Sequence, residues 1–199
     1  MKLSLLSDDQ VRRLHEASLS ILSRTGVQIP HERMLGLFAE AGAQVDFAAQ
    51  RVRIPEAVVM RALDTAGKQF TMYGRDRTKT AAFGVGARNY NSAAGEACWV
   101  DDTFTSRRYT TMDDVRTAAR LGDALPWLTI PGAMADPLDI PPEYRCVQVA
   151  AEMLKNTTKP FMFWFYDRAS AKFVLDLFTI AAGGEAEAIA HPFAYPLLE

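Results

Sequence analysis

From Phe70 onward the chain alternates between short apolar segments and longer amphipathic ones, and this alternation narrows the available folds more than any other feature. QFTMYGRD, TAAFGVGARNYN and ACWVDDTFTSRRYT read as strands separated by Gly, Asp and Asn turns. TMDDVRTAARLGDALP then reads as a helix. Thr111 is its N-cap, acidic residues fill its first turn, and Val115, Ala118, Ala119 and Leu121 form its apolar face. WLTIPGAMA follows, then a helix over IPPEYRCVQVAAEMLKNT, the strand FMFWFY, a helix over RASAKFVLDLFTIAAGG and the strand-like HPFAYPL. Strands alternating with helices predict βαβ units and a parallel sheet, hence an α/β fold.

The residues before Phe70 have a different character. Ser7 and Gln10 form a capping-box pattern, and Val11, Leu14, Ser18, Ile21 and Leu22 fall on one helical face closed by Gly26. A second helix follows Pro30 and ends at Gly42. AQVDFAAQRVRIP reads as a small hairpin, and Pro55 occupies the first turn of a third helix through Ala66. Residues 1–66 are therefore expected to form a helical cap with a small hairpin, ahead of a second region over residues 67–199.

Composition excludes several function classes. A formal net charge of −2 leaves no electrostatic footprint for nucleic acid or an anionic membrane. No apolar run is long enough to span a bilayer, and MKLSLLSDDQ turns acidic too soon for a signal peptide. Cys98 and Cys146 lack the close spacing of zinc or redox pairs and read as structural thiols of a reduced cytoplasm. His15, His31 and His191 are isolated, so no metal site is expected from them. GVGARN has neither the Lys of a P-loop nor dinucleotide-site spacing. Asp113 and Asp114 read as charges at a helix N-terminus, and Lys155 and Lys159 as cations flanking a helix end.

The run KPFMFWFYD, residues 159–167, carries two readings. Strands of a parallel sheet are covered on both faces, so continuous apolar sequence there fits a core. Trp164, Phe165 and Tyr166 also precede the polar DRAS turn, at the carboxyl end where barrel active sites lie. Phe161 and Phe163 are expected in the core, while Trp164 and Tyr166 share the opposite face nearest the mouth.

Several stretches in order resemble one family: LHEASLSILSRTGVQI, AGAQVDFAAQRVRIP, YGRD, TMDDVRTAARLGDALPWL and KNTTKPFMF. Over residues 6–163 they are similar to the trimethylamine methyltransferase family. The resemblance implies a (β/α)₈ barrel preceded by an N-terminal helical segment. It implies transfer of a methyl group from a methylated tertiary or quaternary amine to the cobalt of a separate corrinoid protein. No covalently bound cofactor is then expected on this chain, since the corrinoid belongs to the partner. Trimethylamine-specific members carry a pyrrolysine in their later half. A full barrel typically needs about 250 residues, and about 130 follow the cap here, so the first half of a barrel is expected. Such a half leaves an open sheet edge and points to self-association into homo-oligomers. A non-catalytic amine-binding or assembly chain of the same descent is the alternative.

A quaternary ammonium has no proton to donate, so its pocket relies on aromatic faces with a carboxylate or oriented dipoles. Candidates at the predicted strand ends are Asn89, Tyr90 and Asn91, then Met134 and Asp136, then Trp164 and Tyr166, and finally Tyr195. Asn89 and Asn91 also fit plain turn roles, and Asp136 before Pro137 fits a turn start. No matched stretch identifies a catalytic residue.

Overall fold

The computed structural model describes residues 5–197, so residues 1–4 of the MKLSLLSDDQ segment and residues 198–199 lie outside the description. The chain divides into two compact units, Met1–Gly67 and Lys68–Glu199.

The first unit opens with α1 (Asp8–Arg24). The Ser7 hydroxyl accepts the Gln10 N–H at 3.3 Å while the Gln10 side chain accepts the Ser7 N–H at 2.8 Å, completing the capping box. Gly26 ends the helix at φ +70°, its N–H donating to the Ile21 carbonyl. A Cβ at Gly26 would lie 2.2 Å from the Val52 carbonyl oxygen, so both conformation and close approach require glycine. Next come β1 (Val27–Gln28), α2 (Glu32–Glu40), β2 (Gln44–Asp46), β3 (Arg51–Arg53) and α3 (Glu56–Thr65). The expected hairpin is β2–β3, and β1 joins the other edge of β3, making an antiparallel order β1–β3–β2. Pro55 is the N-cap of α3 rather than a residue inside its first turn.

Leu19, Leu35 and Val52 form the buried centre of this unit. The apolar stripe expected on α1 is not its buried face: Val11, Leu14 and Ile21 are exposed, and Leu19 is the buried residue. A sheet of three very short strands cannot cover a whole helical stripe, and small units bury the smaller fraction of their surface.

The second unit begins with two hairpins, β4 (Phe70–Tyr73) with β5 (Thr80–Phe83) and β6 (Cys98–Val100) with β7 (Arg107–Tyr109). Both are antiparallel, which corrects the expectation of parallel strands through this stretch. Their turns, 74–79 and 101–106, are too short for the crossover that parallel pairing needs. Parallel neighbours appear further on. Asn91 bridges Ile130, Gly132 bridges Met162, and β8 (Phe161–Trp164) pairs with β9 (Ala194–Leu197). Between these segments run α4 (Met112–Ala124), α5 (Pro142–Asn156), and α6 (Arg168–Ala182) with α7 (Glu185–Ala190). The result is a mixed α/β unit of small sheets, and no barrel closes among the described residues. At Gly132 a Cβ would sit 1.9 Å from the Ala93 carbonyl oxygen, so glycine lets these two segments lie side by side.

β8 separates two apolar clusters. Phe161 and Phe163 pack with Val115, Val149, Met153 and Val174 on the helix side. Met162, on the other face, packs with Met72, Ala81, Ala94 and Ile130, with Trp164 and Tyr195 against them. Alternation along the strand produces this division. Fully burying Phe161 and Phe163 contributes about 1.5–3 kcal/mol each.

Candidate functional site

The carboxyl ends of the parallel segments bring together residues from three places in the chain. Gly95 lies just past the first segment, Asp136 just past the second, and Trp164 ends β8 with Tyr166 two residues on. The Trp164 indole Nε1 donates to the Gly95 carbonyl at 3.1 Å. The Asp136 N–H donates to the Glu96 carbonyl at 2.9 Å, and Thr110 Oγ1 donates to the Asp136 carbonyl at 2.7 Å. These bonds fix the backbone around the cluster.

Asp136 is the polar centre. Its carboxylate accepts the Tyr166 hydroxyl and, at 3.2 Å, Arg145 Nη1. Arg145 is held in turn by the Ile140 carbonyl, which accepts from Nε at 3.0 Å and from Nη2 at 2.9 Å. Burial pushes the Tyr166 phenol up to about 12, with the bond to Asp136 acting in the same direction. It stays an O–H donor at neutral pH and is poorly matched to proton transfer there. The cluster therefore holds a carboxylate engaged by Arg145 and Tyr166, with the Trp164 indole anchored on the Gly95 carbonyl.

The other expected residues are distributed along the same structure. Tyr195 stands on β9 level with Met162 and packs on the same inner cluster as Trp164. Burial raises the Tyr195 pKa. Met134 lies between the bridging residue Gly132 and Asp136 with φ +55°, a left-handed conformation uncommon for a side-chain-bearing residue. Its N–H donates to the Ala93 carbonyl at 3.1 Å. Asn89, Tyr90 and Asn91 are not brought to this end. Asn89 and Tyr90 precede their segment and Asn91 is its first bridging residue, so all three lie at its amino end. Asn89 Nδ2 donates to the Ala82 carbonyl at 2.7 Å, Asn91 Nδ2 approaches Met162 Sδ at 3.7 Å, and Tyr90 is exposed beside Leu125 to Leu128.

Two members of the cluster were not expected from sequence. Gly95 sits in the small-residue run SAAGEA, a signal that a bulky side chain packs across it. Arg145 meets Asp136 across nine residues and a chain reversal, a spacing without a local motif. Among the described residues no three His, Cys, Asp or Glu side chains converge.

A family model described as trimethylamine methyltransferase matches residues 1–199. The chain belongs to the trimethylamine methyltransferase family. It is 29% identical over 185 residues to a glycine betaine methyltransferase of Desulfitobacterium hafniense strain Y51, covering 92% of this chain and 38% of that protein. It is 30% identical over 187 residues to the trimethylamine methyltransferase MttB of D. hafniense strain DCB-2, covering 92% and 37% respectively. The chain thus spans less than two fifths of the length of these family members.

Proposed function

We propose that this chain supplies the amine-binding part of a methyltransferase that moves a methyl group from a tertiary or quaternary amine to the cobalt of a separate corrinoid protein. Its parallel segments and intervening helices are the first half of a (β/α)₈ barrel, and the cluster around Asp136 and Trp164 lies at the barrel's catalytic end. The observation that carries the reading is the Trp164 indole, anchored on an apolar inner face of a chain from a methyltransferase family. Relatives named for glycine betaine and trimethylamine act on substrates whose methylated nitrogen is the shared feature.

The corrinoid cobalt supplies the nucleophile, which leaves the protein to bind, orient and exclude water. Trp164 offers a π face to the ammonium, worth about 0.5–2 kcal/mol. Asp136, ion-paired with Arg145 and bonded to the Tyr166 hydroxyl, adds an oriented dipole rather than a free charge. Choline and its neutral isostere 3,3-dimethyl-1-butanol separate charge from shape. Titration calorimetry should show choline bound about tenfold more tightly, a difference of about 1.4 kcal/mol. Equal affinities would contradict a cation site.

The same reading predicts self-association through a second copy of this chain. Among the described residues β9 pairs on one side only, with β8. Beside it an apolar groove of about 510 Å³ is lined by Phe165, Leu175, Phe178 and Ile189, of which Leu175 and Ile189 are exposed. An unpaired strand edge continuous with an apolar groove favours association. Multi-angle light scattering should give a mass above that of one 22.0 kDa chain, rising with concentration. A monomer at every concentration would refute it.

A further inference from the structure

We propose that Gly95 is a positioning residue that sets the orientation of the Trp164 indole. The inference rests on the reading of Trp164 as the cation-facing ring and adds what holds that ring in place. Two observations on one residue carry it. The Gly95 carbonyl accepts the indole Nε1 at 3.1 Å, which fixes one edge of the ring. The missing side chain leaves the space the ring fills, since a Cβ at Gly95 would lie 2.7 Å from Trp164 Cδ1 and 3.0 Å from Nε1.

The Ala135 carbonyl oxygen stands 3.2 Å from the same Cβ position, so an added methyl group would be crowded by backbone as well as by the ring. A methyl group at residue 95 would therefore push on the indole at the edge that carries its hydrogen bond and shift the ring. Gly95 is buried, and its conformation does not itself demand glycine, so the requirement comes from the neighbouring ring. Preorganisation of a π face matters because cation–π attraction depends on the cation lying over the ring rather than at its edge.

The chain has three tryptophans, so Trp99→Phe/Trp127→Phe leaves Trp164 as the single reporter. In that background Gly95→Ala should shift the emission maximum to the red and raise acrylamide quenching of the folded protein. It should also weaken tetramethylammonium binding about tenfold, as far as Trp164→Ala does, and the Gly95→Ala/Trp164→Ala double variant should lose nothing more. Unchanged emission and quenching in folded Gly95→Ala would overturn the proposal, as would additive losses in the double variant. If Gly95→Ala does not fold, the double variant should, because the overlapping ring is gone. A double variant that also fails by circular dichroism would overturn the proposal. Should Trp164→Ala leave tetramethylammonium affinity unchanged, the cation-site reading fails, while the optical measurement still decides whether Gly95 holds the ring.

Discussion

Lys159→Met should destabilise the second unit by about 3–5 kcal/mol, as expected when three backbone carbonyls lose a charged donor at about 1–3 kcal/mol each. The Lys159 ammonium is buried and donates to three backbone carbonyls: Gly122 at 2.8 Å, Leu125 at 2.6 Å and Leu128 at 2.8 Å. Those oxygens belong to the last turn of α4 and the bend beyond it, where a helix leaves carbonyls without intrahelical partners. One side chain entering β8 thus closes the end of α4 and sets the path of the chain toward Ile130. Burial lowers the lysine's pKa, and Asp123 opposes that effect. Asp123 also binds the Thr158 N–H at 2.7 Å and the Thr157 and Thr158 hydroxyls, so the approach to β8 is tied to α4 twice. Methionine keeps the apolar stem and removes only the charge and donors. Urea unfolding measures the loss, and a change below about 1 kcal/mol would mean that water replaces the ammonium at these carbonyls.

Asp114→Asn should cost about 1–3 kcal/mol at neutral pH and remove a distinct acid limb from the stability profile. The Asp114 carboxylate accepts Arg108 Nη1 and Nη2, both at 2.7 Å, together with the Thr111 N–H at 2.8 Å and hydroxyl at 3.0 Å. The Arg108 bonds, helped by those from Thr111 and opposed by burial, hold its pKa at about 2. A carboxylate depressed below its unfolded value of about 3.9 stabilises the fold fully above that value, and the contribution is lost as pH falls toward 2. The parent should therefore lose stability between about pH 4 and pH 2, and the variant should be flatter across that window. Parallel acid limbs in thermal melts of both proteins would assign the effect to other carboxylates.

Much of the local structure was legible because its determinants lie close together in sequence. The capping box at Ser7 and Gln10, the β2–β3 hairpin, the helix starting at Thr111 and the helix-side burial of Phe161 and Phe163 follow from spacing within one element. Lys159 was expected to flank the end of the helix before it, α5, whereas its ammonium closes the end of α4, a contact between distant segments that needed the fold. The antiparallel hairpins of β4–β5 and β6–β7 were misread because strand propensity does not encode direction. Turn length does, and the turns at 74–79 and 101–106 carried that information. Asn89, Tyr90 and Asn91 were placed at a strand's exit when they mark its entrance, since the pairing begins at Asn91 with Ile130. The junction of Asp136, Arg145 and Tyr166 depends on two chain reversals and leaves no motif.

In the proposed site Trp164 meets the methylated nitrogen. The most direct test of that contact is titration of tetramethylammonium into the parent chain and into a Trp164→Ala variant shown to be folded by circular dichroism. Indole is the strongest aromatic partner for a cation, so the variant should bind about 1–2 kcal/mol more weakly, roughly a tenfold loss in affinity. An unchanged dissociation constant would contradict the cation site and return the aromatic run from Phe161 to Tyr166 to a purely structural role.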